Sequence, residues 1–282
     1  MANIGVLHPG EMGGAIGATL TAVGHTTFWA SEGRGASTAR RAQAAGMVDL
    51  GTLAQLSVGC EFVLSVCPPH AALAVAEGVA GFNGIFVDAN AIAPPTARAV
   101  ERLVEAGGAT FVDGGIVGRP PTTPGSTRIF LSGERASEVA RLFEGSNVEA
   151  VVLTGSVTDA SALKMSYAAW TKGTLALVLG VRALARAHGV EAALESEWER
   201  SVPDLPARSL LAAEQAAGKG WRWIGEMNEI ASAMGSVGLP TGFHEAAADI
   251  YSRVSRADVP PVDPGILSHV LALILGAPDQ DA

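Results

Sequence analysis

Short apolar runs rich in Val, Ile, Leu and Phe punctuate the first half of the chain and alternate with Ala-rich stretches of helical length. Such alternation marks β-α-β units around a parallel sheet, because each crossover helix covers a sheet face before the next strand begins. It predicts strands at Asn3–Leu7, Thr26–Ala30, Phe62–Val66, Ile85–Asp88, Thr110–Asp113 and Ile129–Ser132, with a further one at Ala150–Leu153. Polar or Gly/Pro-containing turns follow, at His8-Pro9-Gly10, Ser31-Glu32-Gly33, Cys67-Pro68-Pro69, Asn90 and Gly114-Gly115. Ligands of open parallel sheets sit beyond the carboxyl ends of the strands, so these turns should line a crevice.

After Gly155 the strand pattern stops. A long helix is expected from about Asp159 to His188, with Thr158 as N-cap and Gly189 as a left-handed C-cap. Further helices are expected at Ala207–Ala217, Trp221–Met234, Thr241–Ser255 and Pro264–Leu275, punctuated by Pro203-Asp204-Leu205-Pro206 and Val259-Pro260-Pro261. The predicted architecture is an α/β Rossmann domain over 1–156, with a mostly parallel, doubly wound sheet, followed by an all-α domain over 157–282.

Composition narrows the function classes. A chain of 282 residues with 48% hydrophobic content can bury a substantial core. Its net charge of -9 disfavours a nucleic-acid partner, which requires a concentrated basic surface. Cys60 and Cys67 are too few for a disulfide framework or a four-cysteine zinc site, and the six histidines show no i, i+4 pair. No export segment is read, so a cytoplasmic setting is expected. The apolar stretches Leu175–Leu184 and Val270–Leu275 are interrupted by Arg182 or fall short of the roughly 20 residues a bilayer requires, so no membrane helix is expected.

The candidate chemistry begins in the segment from Gly5 to Gly17, where a strand runs into a helix through His8-Pro9-Gly10-Glu11-Met12-Gly13. This is the context of a dinucleotide fingerprint: Gly10 lets backbone approach a pyrophosphate at the helix N-terminus, and Gly13 and Gly17 permit close helix-on-sheet packing. His8 stands where the first glycine of G-x-G-x-x-G would be; a plain tight βα turn is the other reading. About 20 residues on, where NAD enzymes place an acidic residue on the ribose, the chain has Ala30 and Ser31 followed by Glu32-Gly33-Arg34. Ser31 and Arg34 suit a 2′-phosphate, so NADPH is expected over NADH; a charge-assisted bond from Arg34 is worth roughly 1.5–3 kcal/mol. Alternatively, Glu32 bonds a ribose, and Arg34, Arg40 and Arg41 form a solvated helix start.

Taken together these motifs resemble the β-hydroxyacid dehydrogenase and 6-phosphogluconate dehydrogenase superfamily, in particular its bacterial phosphogluconate-dehydrogenase-like branch, over almost the whole chain. The family's G-L-G-x-M-G is similar to His8–Gly13, and its proline-containing loop to Val66-Cys67-Pro68-Pro69. Its D-x-S/T-x-x-x-P segment resembles Asp88–Pro94, which includes Asn90, and its D-A-P-V-S-G-G loop resembles Asp113–Arg119. Leu163-Lys164-Met165 matches the start of its catalytic G-x-x-x-K-x-x-x-N helix.

The resemblance implies that Lys164 is the general acid/base, exchanging a proton with the substrate oxygen as hydride moves, a role that requires a positioned, partly buried ammonium. A surface lysine on an amphipathic helix is the alternative. It further implies that Cys67, Pro68 and Asn90 border the nicotinamide, that Gly115 and Gly118 border the substrate, and that the helical domain binds substrate and pairs two subunits into a homodimer. Three positions depart from the pattern: Ala168 replaces the asparagine, and Val117 and Arg119 replace the loop serine and final glycine. Tyr167 and Thr171 share a helix face with Lys164 and are candidates to replace the lost hydrogen bond, with core packing as the other reading of Tyr167 and Trp170. Arg119 is a candidate for a substrate carboxylate or phosphate. Trp198, Trp221 and Trp223 are read as packing, and Glu226, Glu229 and His244 as a polar helix face. The expected activity is hydride transfer between NADPH and a small carbonyl or hydroxy compound of hydroxyacid type; imine reduction and a non-catalytic dinucleotide sensor or scaffold are the alternatives.

Overall fold

The computed structural model describes residues 1–254 and 265–276. The chain forms two compact units, Met1–Met165 and Ser166–Ala282. In the first, β1 (Asn3–Leu7), β2 (Thr26–Trp29), β3 (Val48–Asp49), β4 (Phe62–Ser65), β5 (Ile85–Asp88), β6 (Thr110–Gly118), β7 (Thr127–Ser132) and β8 (Val148–Val152) build one sheet in the order β3-β2-β1-β4-β5-β6-β7-β8. All neighbouring strands are parallel except β6 and β7. The order reverses between β1 and β4, the switch point where an open sheet of this kind leaves a crevice.

Helices α1 (Glu11–Ala22), α2 (Ala36–Ala44), α3 (Leu53–Gly59), α4 (Ala72–Glu77), α5 (Pro94–Ala106) and α6 (Ala136–Arg141) form the crossovers, with a 3-10 turn at Pro69–Ala71. Successive strand residues feed opposite cores: Val63, Phe86 and Phe111 join Leu56, Phe82 and Val100, whereas Leu64, Val87 and Val112 join Ile16, Leu20 and Val139. Both faces of the sheet are therefore dry, which is why its central strands read as continuous apolar runs rather than alternating ones.

Two features differ from expectation. The two-residue β3 is an exposed edge strand without an apolar signal. Strand β6 does not stop at Asp113 but continues to Gly118, so Gly114 and Gly115 lie inside a strand rather than in a turn. They pair with Leu131 and Phe130 of antiparallel β7. Their lack of a side chain serves close approach: a Cβ on Gly114 would lie 3.0 Å from the Asp88 carbonyl oxygen.

Helix α7 (Asp159–Ala187) follows, then α8 (Glu191–Ser201), α9 (Leu205–Ser236), α10 (Gly242–Val254) and α11 (Ile266–Leu275). The compact units divide within α7 rather than at 156/157, because its first turns are bonded to the sheet. Gly189 takes the expected left-handed conformation (φ 68°). The helices expected at Ala207–Ala217 and Trp221–Met234 are one, α9, uninterrupted at Gly218 and Gly220, and α8 adds a helix the pattern did not announce. Gly220 faces Tyr251 of α10, whose ring would lie 3.4 Å from a Cβ there, an ordinary van der Waals contact. Tyr251 is fully buried and meets Trp223 edge-on at 5.1 Å. Ser255, Val259-Pro260-Pro261 and Pro264, named above as helix ends and punctuation, lie outside the described residues. Among the described residues, no helix is long and apolar enough to cross a membrane, and no cluster of His, Cys, Asp and Glu could hold a metal ion.

Candidate functional site

The turn between β1 and α1 is built by one unusual residue and two steric demands. His8 is the one non-glycine residue with positive φ (62°) among the described residues, so it adopts the left-handed conformation for which a glycine is the usual choice. Gly10 N donates to His8 O at 2.6 Å, and Gly14 N donates to Gly10 O at 2.9 Å as α1 begins. A Cβ on Gly13 would sit 2.7 Å from His8 O, and one on Gly17 2.9 Å from Met47 Sδ, so both positions are closed to side chains. Above Gly10 the protein leaves room: a Cβ there would meet His8 O alone, at 3.8 Å. Arg41, read above as part of a solvated helix start, donates from Nε to Pro9 O at 3.2 Å and steadies the turn. Glu11 and Met12 open the first turn of α1, where helix geometry provides no i-4 carbonyls for the amides.

The His8 imidazole is half-buried, and its Nδ1 has no hydrogen-bond partner. Burial, then the positive charge of Arg34, depress its pKa to about 4, so the ring is neutral at neutral pH. The charge of Arg34 also acts on Cys67, favouring its ionised form against the larger effect of burial. The loop after β2 is organised by Asp49 of β3, which accepts from Ser31 N at 3.2 Å, from Gly51 N at 2.8 Å and from the Ser31 hydroxyl. Ser31 is thus committed to Asp49, and of the two residues proposed for a 2′-phosphate Arg34 is the one whose charge is felt at His8 and Cys67.

Asn90 ties strand ends together. Its Oδ1 accepts from Cys67 N at 2.5 Å, and its Nδ2 donates to Ser65 Oγ at 3.0 Å and to Asp88 Oδ2 at 2.9 Å. With both amide hydrogens used and 2% exposure, Asn90 shapes the Cys67-Pro68 loop rather than offering donors to a ligand. Burial pushes the Cys67 thiol up to about 12, so it stays protonated. Pro68 precedes the 3-10 turn and accepts from Ala71 N at 2.9 Å.

At the other end of the sheet, Asp113 and Ser132 grip the start of α7. Asp113 accepts from Ser161 N and Ser161 Oγ, each at 2.7 Å. Ser132 Oγ accepts from Ala160 N and donates to Val157 O, each at 2.9 Å. Thr158 holds the expected N-cap position, but these strand side chains satisfy the amides. Burial pushes the Asp113 carboxyl up to about 6 despite its hydrogen bonds. One turn after Ala160, half-buried Lys164 lies against Gly115, where a Cβ would be 3.1 Å from Lys164 Cβ and 2.7 Å from Ala160 O. Gly118 (φ 121°) instead serves the β6–β7 hairpin, since a Cβ there would strike Ser126 O. Arg119 is exposed in that hairpin and its carbonyl accepts from Thr127 Oγ1.

Within the second unit, Tyr167 is 46% exposed and Thr171 Oγ1 donates to Tyr167 O at 3.0 Å, while Ala168, at the place of the motif asparagine, is buried. The same unit holds a polar cluster that no local pattern announces: Lys172 pairs with buried Glu226 and lies 5.7 Å from the Trp223 ring centroid, and Tyr251 Oη donates to Lys172 O at 2.6 Å. His244 is 3% exposed, packed where a Cβ on Gly173 would lie 3.0 Å from its Nε2. Trp198 and Trp223 are buried, as expected of packing residues, but Trp221 is 53% exposed.

A Rossmann-type sheet with a glycine-bearing first turn, followed by a helical unit, defines a dinucleotide-fold class. Within that class its fold is similar to that of 3-hydroxyisobutyrate dehydrogenases. A family model described as a domain of unknown function, DUF1932, matches residues 185–254. An uncharacterized 28.5 kDa protein of Methanothermus fervidus is 28% identical over 160 residues, which span 56% of this chain and 61% of that protein. Among solved structures, a conserved protein of unknown function described as structurally similar to 3-hydroxyacid dehydrogenases is 26% identical, with a TM-score of 0.67 over 90% of this chain and 100% of that one. The Mycobacterium tuberculosis 3-hydroxyisobutyrate dehydrogenase with L-serine is 18% identical, with a TM-score of 0.67 over 98% of this chain and 99% of that one. An Aspergillus terreus reductive aminase in complex with NADPH is 18% identical, with a TM-score of 0.57 over 98% and 99% of the two chains.

Proposed function

We propose that the protein is an NADP(H)-dependent oxidoreductase acting on a small carbonyl or hydroxy compound that carries an acid group. The observation that carries this reading is the turn after β1, where Gly13 is closed by His8 O while Gly10 is open, with the charge of Arg34 acting on both flanking strand ends. An open glycine at a helix N-terminus suits a pyrophosphate, and the guanidinium of Arg34, in the loop after β2, suits a 2′-phosphate. The residues therefore fit a nicotinamide dinucleotide, with His8–Gly13 and Arg34 holding it and the Cys67-Pro68 loop shaped by Asn90. Such a cofactor, when bound, supplies the hydride donor or acceptor.

The protein's part is the proton. In the reducing direction, Lys164 Nζ gives a proton to the carbonyl oxygen as its carbon is reduced, and in the oxidising direction it takes one from the hydroxyl. Arg119, exposed on its hairpin, is suited to the substrate's acid group. Named relatives that are dehydrogenases support this class of chemistry. A C=N substrate is the second reading, favoured by the loss of the motif asparagine at Ala168 and by fold likeness to a reductive aminase. The active form is a homodimer joined through the helical unit: Trp170, Leu177 and Leu184 recur every seven residues on α7 and are 68%, 48% and 60% exposed, an apolar stripe suited to a second copy. Both cysteines are free, as a reducing cytoplasm would keep them.

Titration of the purified protein with NADPH and NADH, followed by nicotinamide fluorescence, tests the cofactor assignment. NADPH should bind about ten- to hundredfold more tightly, and Arg34→Ala should remove most of that margin. Binding of neither nucleotide would sink the enzyme reading. Binding without turnover of hydroxy acids, oxo acids or cyclic imines would favour a sensor, and light scattering on the same sample decides between monomer and dimer.

A further inference from the structure

The sheet holds the start of α7 more firmly than capping a helix requires. A local Ser, Thr or Asp at the N-cap satisfies first-turn amides and leaves the helix free to shift on its support. Here the amides of Ala160 and Ser161 are instead taken by side chains of two strands, 28 and 48 residues away in the chain. Asp113 binds both the amide and the hydroxyl of Ser161, and Ser132 binds both the amide of Ala160 and the carbonyl of Val157. Asp113, Ser132 and Ser161 are all completely buried. Four bonds therefore fix both the height and the rotation of the helix over β6 and β7, and the next residue on that face is Lys164. Its stem is held so close to β6 that only glycine fits at position 115.

We propose that Asp113, assisted by Ser132 and Ser161, is the positioning residue for Lys164, fixing the ammonium stem over Gly115 so that Nζ addresses one place beside the sheet. The proposal rests on the reading of Lys164 as the proton-transfer group, but its geometry can be tested without turnover. A carboxylate suits the task because charge-assisted bonds are shorter and stronger than neutral ones, and one carboxylate accepts from both donors of Ser161 at once. Asparagine at this place keeps the volume but presents a donor to one of them.

The test uses the full chain as wild type, Asp113→Asn, Ser132→Ala and Ser161→Ala. The probe is N-acetoxysuccinimide, with the acylation of Lys164, Lys172 and Lys219 followed separately by mass spectrometry. Hydrogen exchange over 159–165 is measured alongside. Asp113→Asn should change the acylation rate of Lys164 by about threefold or more while Lys172 and Lys219 keep theirs, with a smaller change in Ser161→Ala, which retains the backbone bond. Faster exchange with unaltered Lys164 reactivity would overturn the proposal, leaving Asp113 as a stabilising cap alone. Should Asp113→Asn fail to fold, Ser161→Ala decides by the same criterion. Acylation reads the placement of the lysine and not its part in catalysis, so an active Lys164→Ala enzyme would refute the proton-transfer reading and leave the positioning result standing.

Discussion

Helix α7 carries Lys164 and Lys172, and their surroundings differ in kind. Lys172 is paired with Glu226, lies beside the Trp223 ring, and has its own carbonyl bonded by Tyr251. Lys164 stands against Gly115, with its helix turn gripped from the sheet. A lysine facing a buried carboxylate has its charge answered inside the protein and contributes to the packing of helices. Lys164 instead packs its stem onto the sheet, where α7 approaches β6 too closely for any side chain at position 115. One lysine thus serves the packing of helices, and the other sits where its helix meets the sheet.

The strongest way to break this contrast is Lys164→Ala. Once a turned-over substrate is in hand, the rate should fall by about 10²–10⁴-fold with nucleotide affinity unchanged; undiminished turnover would make both lysines structural. Lys172→Met should do the opposite, lowering stability by about 3–5 kcal/mol in urea denaturation because Glu226, 6% exposed, loses its cation. Pairing it with Glu226→Leu should recover most of that loss. A single-variant cost below about 1 kcal/mol would mean that the pair behaves like a surface one.

The third test concerns the grip on Lys164. Asp113 has its carboxyl raised from 3.8 to about 6 in the fold, so between those values the folded state holds the proton more tightly than the unfolded chain. Its contribution to stability is therefore present below 3.8 and lost as pH rises through about 6. Wild type should gain on Asp113→Asn as pH is lowered from neutrality to about 4, by up to about 3 kcal/mol in thermal or urea unfolding. A difference that is flat with pH would mean that the carboxyl is solvated.

Much of the sheet was legible because a strand buried on both faces must be apolar throughout, and the glycines of the first turn announced themselves by spacing. His8 was visible as a departure but not as a left-handed residue, since a backbone angle leaves no mark in composition. The bonds that organise the candidate site were not legible at all. Arg41 to Pro9, Asp49 to Ser31 and Asp113 to Ser161 join residues 32, 18 and 48 positions apart, and nothing local distinguishes those side chains from solvated ones. Asn90 was noticed for its place after a strand, yet its amide is spent on the protein itself. The run through Gly218 and Gly220 looked like a break because glycine weakens an isolated helix, but the buried face that runs from Ala212 and Ala216 to Trp223 and Met227 holds the helix together across it. Strand β6 ran on through Gly114 and Gly115 for a similar reason, with β7 supplying the ladder that their poor strand propensity could not.

The crowding at Gly115 also limits how this protein can diversify. A single methyl group there would meet the Ala160 carbonyl at 2.7 Å, so the commonest small step in mutation, glycine to alanine, is closed beside the lysine. By contrast, Gly35 ahead of α2 has nothing within 4 Å and ordinary backbone angles, and Arg119 stands exposed on its hairpin. Variation that retunes recognition has open ground at those margins, while the wall behind the lysine stays fixed. Libraries aimed at new substrates are best spent on the hairpin and the α2 loop, with position 115 left alone.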